Sequence, residues 1–185
     1  MCSSDLGLSK ESHPDLRQSA KSALLGCGYG LGWASFAAQL LVGFLGAPPV
    51  RYDKAFAKKL GVTQEDAERF VDWDENLKKL EDIPHSCTEG ELLTHCLAAK
   101  AVIDRYRATA TPVVDFWGML GDLIETALAN GKEFRYKCIT FKKGAIVLPN
   151  GMSLLYPDLR RVKDENGRSQ WVYGPNATKL YAGKV

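Results

Sequence analysis

The chain has 185 residues, of which 45% are hydrophobic, 25% charged and 10% aromatic, and this ordinary composition argues against a disordered or fibrous protein. Its 24 basic and 22 acidic residues leave a formal net charge of only +2, so charge balance does not predict nucleic-acid binding and any such site must be local. Five scattered cysteines form no disulfide framework and suit a reducing compartment, so we expect a cytoplasmic protein.

The first fifty residues contain two segments that need separate treatment. Residues 1–10 are expected to be a non-native or disordered lead, because residues 2–6 resemble a translated sequencing adapter. Residues 22–50 carry no formal charge and are long enough to span a bilayer. Six glycines, Gln39 and the pair Pro48-Pro49 favour a buried helix–loop–helix instead, so we expect no membrane partner.

Helical signals dominate the chain as far as residue 131. Thr63 with Asp66 resembles a capping box, and Phe70, Trp73 and Leu77 then recur at helical spacing. The charge on the other face of that helix, which includes residues 72, 74 and 75, is expected to be solvated. Helices are predicted at residues 16–25, 33–45, 52–60, from 63 onward, at 89–106 and at 112–129, where Asn130-Gly131 ends the last one.

The pattern changes to strands after residue 131. Residues 134–141 and 145–148 are rich in aromatic and β-branched side chains, and Asn150-Gly151 is a strong hairpin signal. Residues 152–156 form the predicted return strand, and a second hairpin is predicted with residues 169–173 returning. The expected fold class is therefore α+β, with a helical part at 11–131 and a β-hairpin part at 132–185.

One early helix carries the informative constellation. Arg17 and Lys21 lie one helical turn apart, so their charges repel unless an anion such as a triphosphate binds between them. Tyr29, two turns further, could offer a ring to a base. The alternatives are a solvated basic face and a phosphate-binding glycine loop at 26–32. That loop lacks the G-x-G-x-x-G spacing, and no predicted strand precedes it.

The arrangement of Arg17, Lys21, Tyr29 and Gly30 resembles the R-x3-K-x7-Y-G pattern of the family A (DNA polymerase I-like) DNA polymerases. Residues 24–32, LLGCGYGLG, are similar to the bacteriophage branch of that family. Supporting similarity extends through residues 106–117, 146–159 and 181–184. The resemblance covers nearly all of the chain from residue 16 and implies a mainly helical fingers subdomain followed by a truncated β-hairpin segment of the palm.

The resemblance also implies roles for individual residues. Lys21 would contact the incoming deoxynucleoside triphosphate (dNTP) and act as the catalytic proton donor to leaving pyrophosphate, while Arg17 would bind the outer phosphates. Tyr29 would lie at the base-pair or template side, where Gly30 permits close approach to the backbone. Leu25 would lie beside the sugar, at a position where many cellular members carry Phe or Tyr.

The implied reaction requires Mg²⁺, whose carboxylate ligands in this family belong to an upstream Asp motif and a downstream His-Asp-Glu motif. Neither motif occurs here, so we expect no metal ligand in this chain and no polymerase activity from it alone. The implied partners are primer–template DNA, dNTPs and the remaining palm and thumb, in the host cytoplasm if the gene is phage-encoded.

Two other readings of the residues remain open. His85, Cys87, His95 and Cys96 lie close enough in sequence to suggest zinc, but their spacing matches no usual zinc motif, and Cys96 fits a helix core better. The alternative function is a non-catalytic helical module that binds nucleic acid or a protein partner through its basic faces.

Overall fold

The computed structural model of the chain describes residues 14–43, 48–165 and 167–182, without the side chains of residues 14–19 and Ser22. The predicted lead at residues 1–10 lies outside this description. The chain divides into two compact units, Met1–Ala110 and Thr111–Val185. The boundary predicted from the sequence, between residues 131 and 132, lies 21 residues after this division. The helix that starts at Thr111 belongs to the second unit, because it shares a hydrophobic core with the strands that follow it.

The described part of the structure is 52% helical and 16% antiparallel strand, and the helices come first, in agreement with the predicted α+β class. Within the described residues the helices are α1 (Pro14–Gly28), α2 (Trp33–Val42), α3 (Lys54–Lys59), α4 (Gln64–Val71), α5 (Asp74–Glu81), α6 (Glu89–Thr109) and α7 (Thr111–Leu123), and α7 continues into a π-helical segment (Ile124–Ala129). No helix of these described ranges combines the length and apolarity needed to cross a bilayer.

The first unit is built around α6, against which α1 to α5 pack. Capping boxes start two of its helices: Thr63 with Asp66 begins α4, as predicted, and Thr88 with Glu91 begins α6. Each box pairs backbone N–H groups that the first helical turn would otherwise leave without partners. The buried side chains form one continuous core, which includes Phe36, Ala37, Leu40, Phe70, Leu92, Cys96, Ala98, Ala99 and Ile103.

The predicted helix from Thr63 through Leu77 is interrupted at Trp73. Trp73 adopts an extended conformation and stands as the N-cap of α5, while the side-chain amide of Asn76 donates a hydrogen bond of 3.1 Å to the carbonyl of Phe70 at the end of α4. Phe70 is buried, but Trp73 and Leu77 are exposed, so the prediction of one helix with an apolar stripe was wrong beyond Phe70.

The second unit packs α7 and the π-helical segment onto antiparallel strands. Strands β1 (Phe134–Tyr136), β2 (Ile139–Lys142), β3 (Ala145–Val147) and β4 (Ser153–Leu155) form one sheet in chain order, and β5 (Arg160–Lys163), β6 (Ser169–Tyr173) and β7 (Thr178–Leu180) form another. Both predicted hairpins are present. The core of this unit includes Leu120, Leu123, Ile124, Ala127, Leu128, Phe141, Ile146, Tyr156 and Leu180.

Candidate nucleotide-binding site on the first helix

Helix α1 has one face anchored in the core of the helical unit. Ala23 and Cys27, one turn apart, are buried on that face, and α1 packs against α6 and α2. Burial raises the pKa of the Cys27 thiol, and the nearby charge of Arg107 opposes that shift. The anchored face determines which other residues of α1 are left at the surface.

The surface of α1 displays the residues that the sequence motif singled out. Lys21 is exposed and makes no ion pair with any described residue. Leu25 lies one turn later and keeps 55% of its surface exposed, and Tyr29 keeps 67%. Leu24 is also exposed, so the surface combines a free ammonium with apolar area and a phenol.

Helix α1 ends in a Schellman motif that fixes the position of Tyr29. The N–H of Leu31 donates to the carbonyl of Gly26 (2.9 Å), and the N–H of Gly30 donates to the carbonyl of Cys27 (3.0 Å). Gly30 supplies the required left-handed conformation, with φ of 75°. Tyr29 therefore occupies the C-cap position. We predicted that the glycines would loosen or end the helix after Leu25, but α1 remains helical to Gly28.

Gly26 and Gly28, near the end of α1, have different surroundings. A Cβ added at Gly26 would lie 2.5 Å from Cδ2 of Leu31, whose side chain packs across the end of the helix. A Cβ added at Gly28 would meet no atom of the described residues within 4 Å. An alanine at Gly26 would thus force the Leu31 side chain to shift, whereas the space beside Gly28 holds no described atom.

This difference predicts opposite effects of alanine at the two glycines. We expect Gly26→Ala to destabilise the helical unit by about 1–3 kcal/mol, because Leu31 must move to accommodate the methyl group. Gly28→Ala should leave stability unchanged or raise it by up to about 1 kcal/mol, because alanine favours the helix and the site is open. Urea unfolding of both variants measures the difference, and equal destabilisation would contradict this account of the helix end.

Arg107 joins the site from α6 and was not singled out as a site residue by the sequence. Its guanidinium Nη2 donates a hydrogen bond of 3.3 Å to the carbonyl of Leu31, two residues after Tyr29. The sequence separation of 76 residues explains why a local motif could not identify it. The contact brings an exposed cation to the C-terminal end of α1, in addition to Lys21 in the middle of the helix.

Arg17 lies in α1 four residues before Lys21, so the helical backbone places the two residues on the same side. The side chain of Arg17 lies outside the described part of the structure. A helical backbone from Pro14 to Gly28 therefore supports the predicted alignment of Arg17, Lys21 and Leu25.

The zinc set considered from sequence does not assemble. His95 is fully buried with both ring nitrogens occupied: Nδ1 accepts from the N–H of Tyr52 (3.0 Å), and Nε2 lies 3.1 Å from the carbonyl of Ala37. Burial raises the pKa of the Cys96 thiol to about 12. Across the described residues, no three His, Cys, Asp or Glu side chains come together as a metal site.

Comparison with protein-family models, with curated proteins and with solved structures found no match for this chain. What the chain does is therefore inferred from the chemistry of its own residues. The most specific chemistry lies on α1, where Lys21, Leu25 and Tyr29 share the surface with the end-of-helix turn held by Gly30 and Arg107.

Proposed function

We propose that the chain is the fingers and part of the palm of a bacteriophage-type family A DNA polymerase, in which α1 binds the incoming dNTP for template-directed nucleotidyl transfer. The observation that carries the proposal is the exposure of Lys21, Leu25 and Tyr29 on a helix whose opposite face is buried. All three belong to the sequence pattern that resembles the family.

The charge at α1 suits a triphosphate. The ammonium of Lys21 has no partner among the described residues, so an anionic ligand would meet a cation without first breaking an ion pair. Arg17, one turn earlier, would add a planar set of donors that matches phosphate oxygens. Two cations one helical turn apart repel each other, so binding of a polyanion would also relieve that repulsion.

The remaining residues would orient the nucleotide. Leu25 would contact the sugar through its apolar surface, and Tyr29 would present its ring to the base pair or template. The Schellman motif holds Tyr29 at a fixed place relative to Lys21, which keeps the distance between the phosphate and base ends of the site constant. Lys21 would donate a proton to the leaving pyrophosphate as the bond to the transferred phosphate breaks.

Magnesium supplies charge neutralisation and activation of the primer hydroxyl in phosphoryl and nucleotidyl transfer. The described residues contain no set of carboxylates that fits it. The metal ligands of the proposed enzyme would therefore come from residues outside the described ranges, together with the rest of the palm and the thumb.

We expect the 185-residue chain alone to show no template-directed extension of a primer, because it contributes nucleotide-binding groups without metal ligands. Primer extension with purified chain, Mg²⁺ and all four dNTPs measures this. Robust synthesis by the isolated chain would contradict the proposal that the metal ligands lie in other parts of the enzyme.

A second test uses the surrounding gene. If the reading frame on both sides encodes an upstream metal-binding Asp motif and a downstream His-Asp-Glu, the polymerase assignment is supported. If the reading frame ends at the present termini, the non-catalytic helical binding module becomes the better explanation.

A further inference from the structure

A pocket of about 530 Å³ lies within the helical unit, away from the surface of α1 that carries Lys21. Its walls come from the turn between α3 and α4 and from α4, α5 and α6. Apolar side chains line much of it, among them Val62, Phe70, Leu97 and Ala101. The volume is in the range of sites that hold one or two side chains of a partner or a small molecule.

Trp73 forms part of the pocket wall and keeps 63% of its surface exposed. Trp73 lies at the break between α4 and α5 and is not part of the hydrophobic core. The aromatic residue that packs in the core nearby is Phe70, whose ring contacts that of Trp33 edge-on, with 4.9 Å between the ring centroids. Large exposed aromatic rings beside an apolar pocket are typical anchors of protein–protein contacts. Trp73 therefore gives the pocket a surface on which another molecule can pack.

Asn76 adds a polar group to the pocket. Asn76 keeps only 7% of its surface exposed, and its side-chain nitrogen donates a hydrogen bond to the carbonyl of Phe70. Its side-chain oxygen has no hydrogen-bond partner among the described residues. The oxygen is not among buried unpaired atoms, so solvent reaches it, and an N–H group of a ligand could replace that water.

The charged lining of the pocket is balanced, with Asp66 and Asp104 against Arg69 and Lys100, but the segment that supplies α4 and α5 is acidic. Residues 62–82 contain eight acidic and three basic side chains. Asp72 and Asp74 flank Trp73, are exposed and make no ion pair with a described residue. The two cations that line the pocket are already paired within the chain, Arg69 with Asp66 and Lys100 with Asp104.

We propose that this pocket binds a basic segment of a partner protein, in which an apolar side chain enters the pocket and neighbouring Lys or Arg side chains contact Asp72, Asp74 and the face of Trp73. Unpaired carboxylates at the residues before and after an exposed tryptophan favour a cation through charge attraction, and the negative face of the indole ring adds to it. A backbone or side-chain N–H of the segment would donate to Asn76. The same acidic surface repels the phosphates of DNA, which excludes it as an extension of the α1 site.

The test uses the whole chain and the labelled peptide Ac-KKLFKK-amide, with Ac-EELFEE-amide as its acidic counterpart, in a fluorescence polarisation titration. We expect the basic peptide alone to bind saturably, with affinity that falls as salt is raised. Trp73→Ala should weaken binding by roughly tenfold or more, and Asp72→Asn with Asp74→Asn by roughly fivefold. Leu77→Ala, which changes an exposed residue outside the pocket, should leave binding unchanged.

Several results would overturn the proposal. They are the absence of saturable binding by a folded chain, equal binding of the acidic peptide, and undiminished binding by folded Trp73→Ala. Competition for Trp73 by a 12-nucleotide single-stranded DNA would also overturn it, in favour of a nucleic-acid site. Thermal unfolding of each variant confirms folding, and the outcome is independent of dNTP binding at Lys21.

Discussion

Replacing Lys21 by alanine in the proposed full-length polymerase is expected to lower kcat for nucleotide incorporation by about 10²–10⁴-fold, the usual contribution of a positioned proton donor. The same change should raise KM for dNTP, because the exposed ammonium on α1 is a phosphate contact in the proposed complex. Single-turnover primer extension with one dNTP separates the two effects.

Two matched variants make this result specific. Lys21→Arg keeps the positive charge but carries a group that does not release its proton, so KM should recover more than kcat. Lys58→Ala removes an exposed lysine from α3 and should change neither constant. Wild-type incorporation by both Lys21→Ala and Arg17→Ala would remove the basis of the polymerase assignment.

Replacing His95 by alanine is expected to cost the helical unit about 2–5 kcal/mol of unfolding free energy. The substitution leaves a cavity in a fully buried place and deprives the N–H of Tyr52 and the carbonyl of Ala37 of their partner. Urea unfolding measures the loss. His85→Ala, at an exposed loop position, should change stability by less than about 0.5 kcal/mol. Equal effects of the two substitutions would contradict the structural role of His95.

The same histidine predicts a pH dependence of stability. Burial, assisted by the charge of Arg51, lowers the pKa of folded His95 below its ordinary 6.5, against the opposing hydrogen bond to Ala37. As the pH falls below about 6.5 the unfolded chain takes up the proton first, so stability is full above that pH and declines below it until the folded pKa is reached. His95→Gln, which can still accept and donate, should flatten this part of the profile in urea unfolding measured from pH 5 to 8.

Much of the helical unit was predictable because its signals are local. The Thr63 capping box and the apolar positions of α6 follow from residues three or four apart. The break at Trp73 depends instead on a hydrogen bond between Asn76 and the carbonyl of Phe70, which hydrophobic spacing does not encode. The strand predicted at 134–141 likewise folds into a hairpin, because Lys137 adopts a positive φ of 54° that a lysine seldom takes.

The candidate site on α1 likewise combines residues that nearby sequence identifies with a residue that only tertiary packing brings in. Spacing could align Lys21 and Tyr29 on one predicted helix, while Leu25 and the roles of all three residues were implied by the family resemblance. Arg107 reaches that surface only through the packing of α6 beside α1, so its contact with Leu31 needed the three-dimensional structure. The pocket was missed for a related reason: Trp73 was placed on the apolar stripe of one continuous helix, whereas it lies at a helix break and is exposed.

The π-helical segment Ile124–Ala129 is a place where the chain can lose one residue without disturbing its neighbours. A π turn holds one more residue than an α turn, and here the N–H of Asn130 reaches back five residues to the carbonyl of Glu125. A single-residue deletion at the exposed Glu125 or Thr126 would convert the wide turn to an ordinary one while the flanking segments kept their alignment. Natural variants of this gene should therefore tolerate the loss of one codon here better than at Leu120 or Phe141, where it would shift the buried residues out of register.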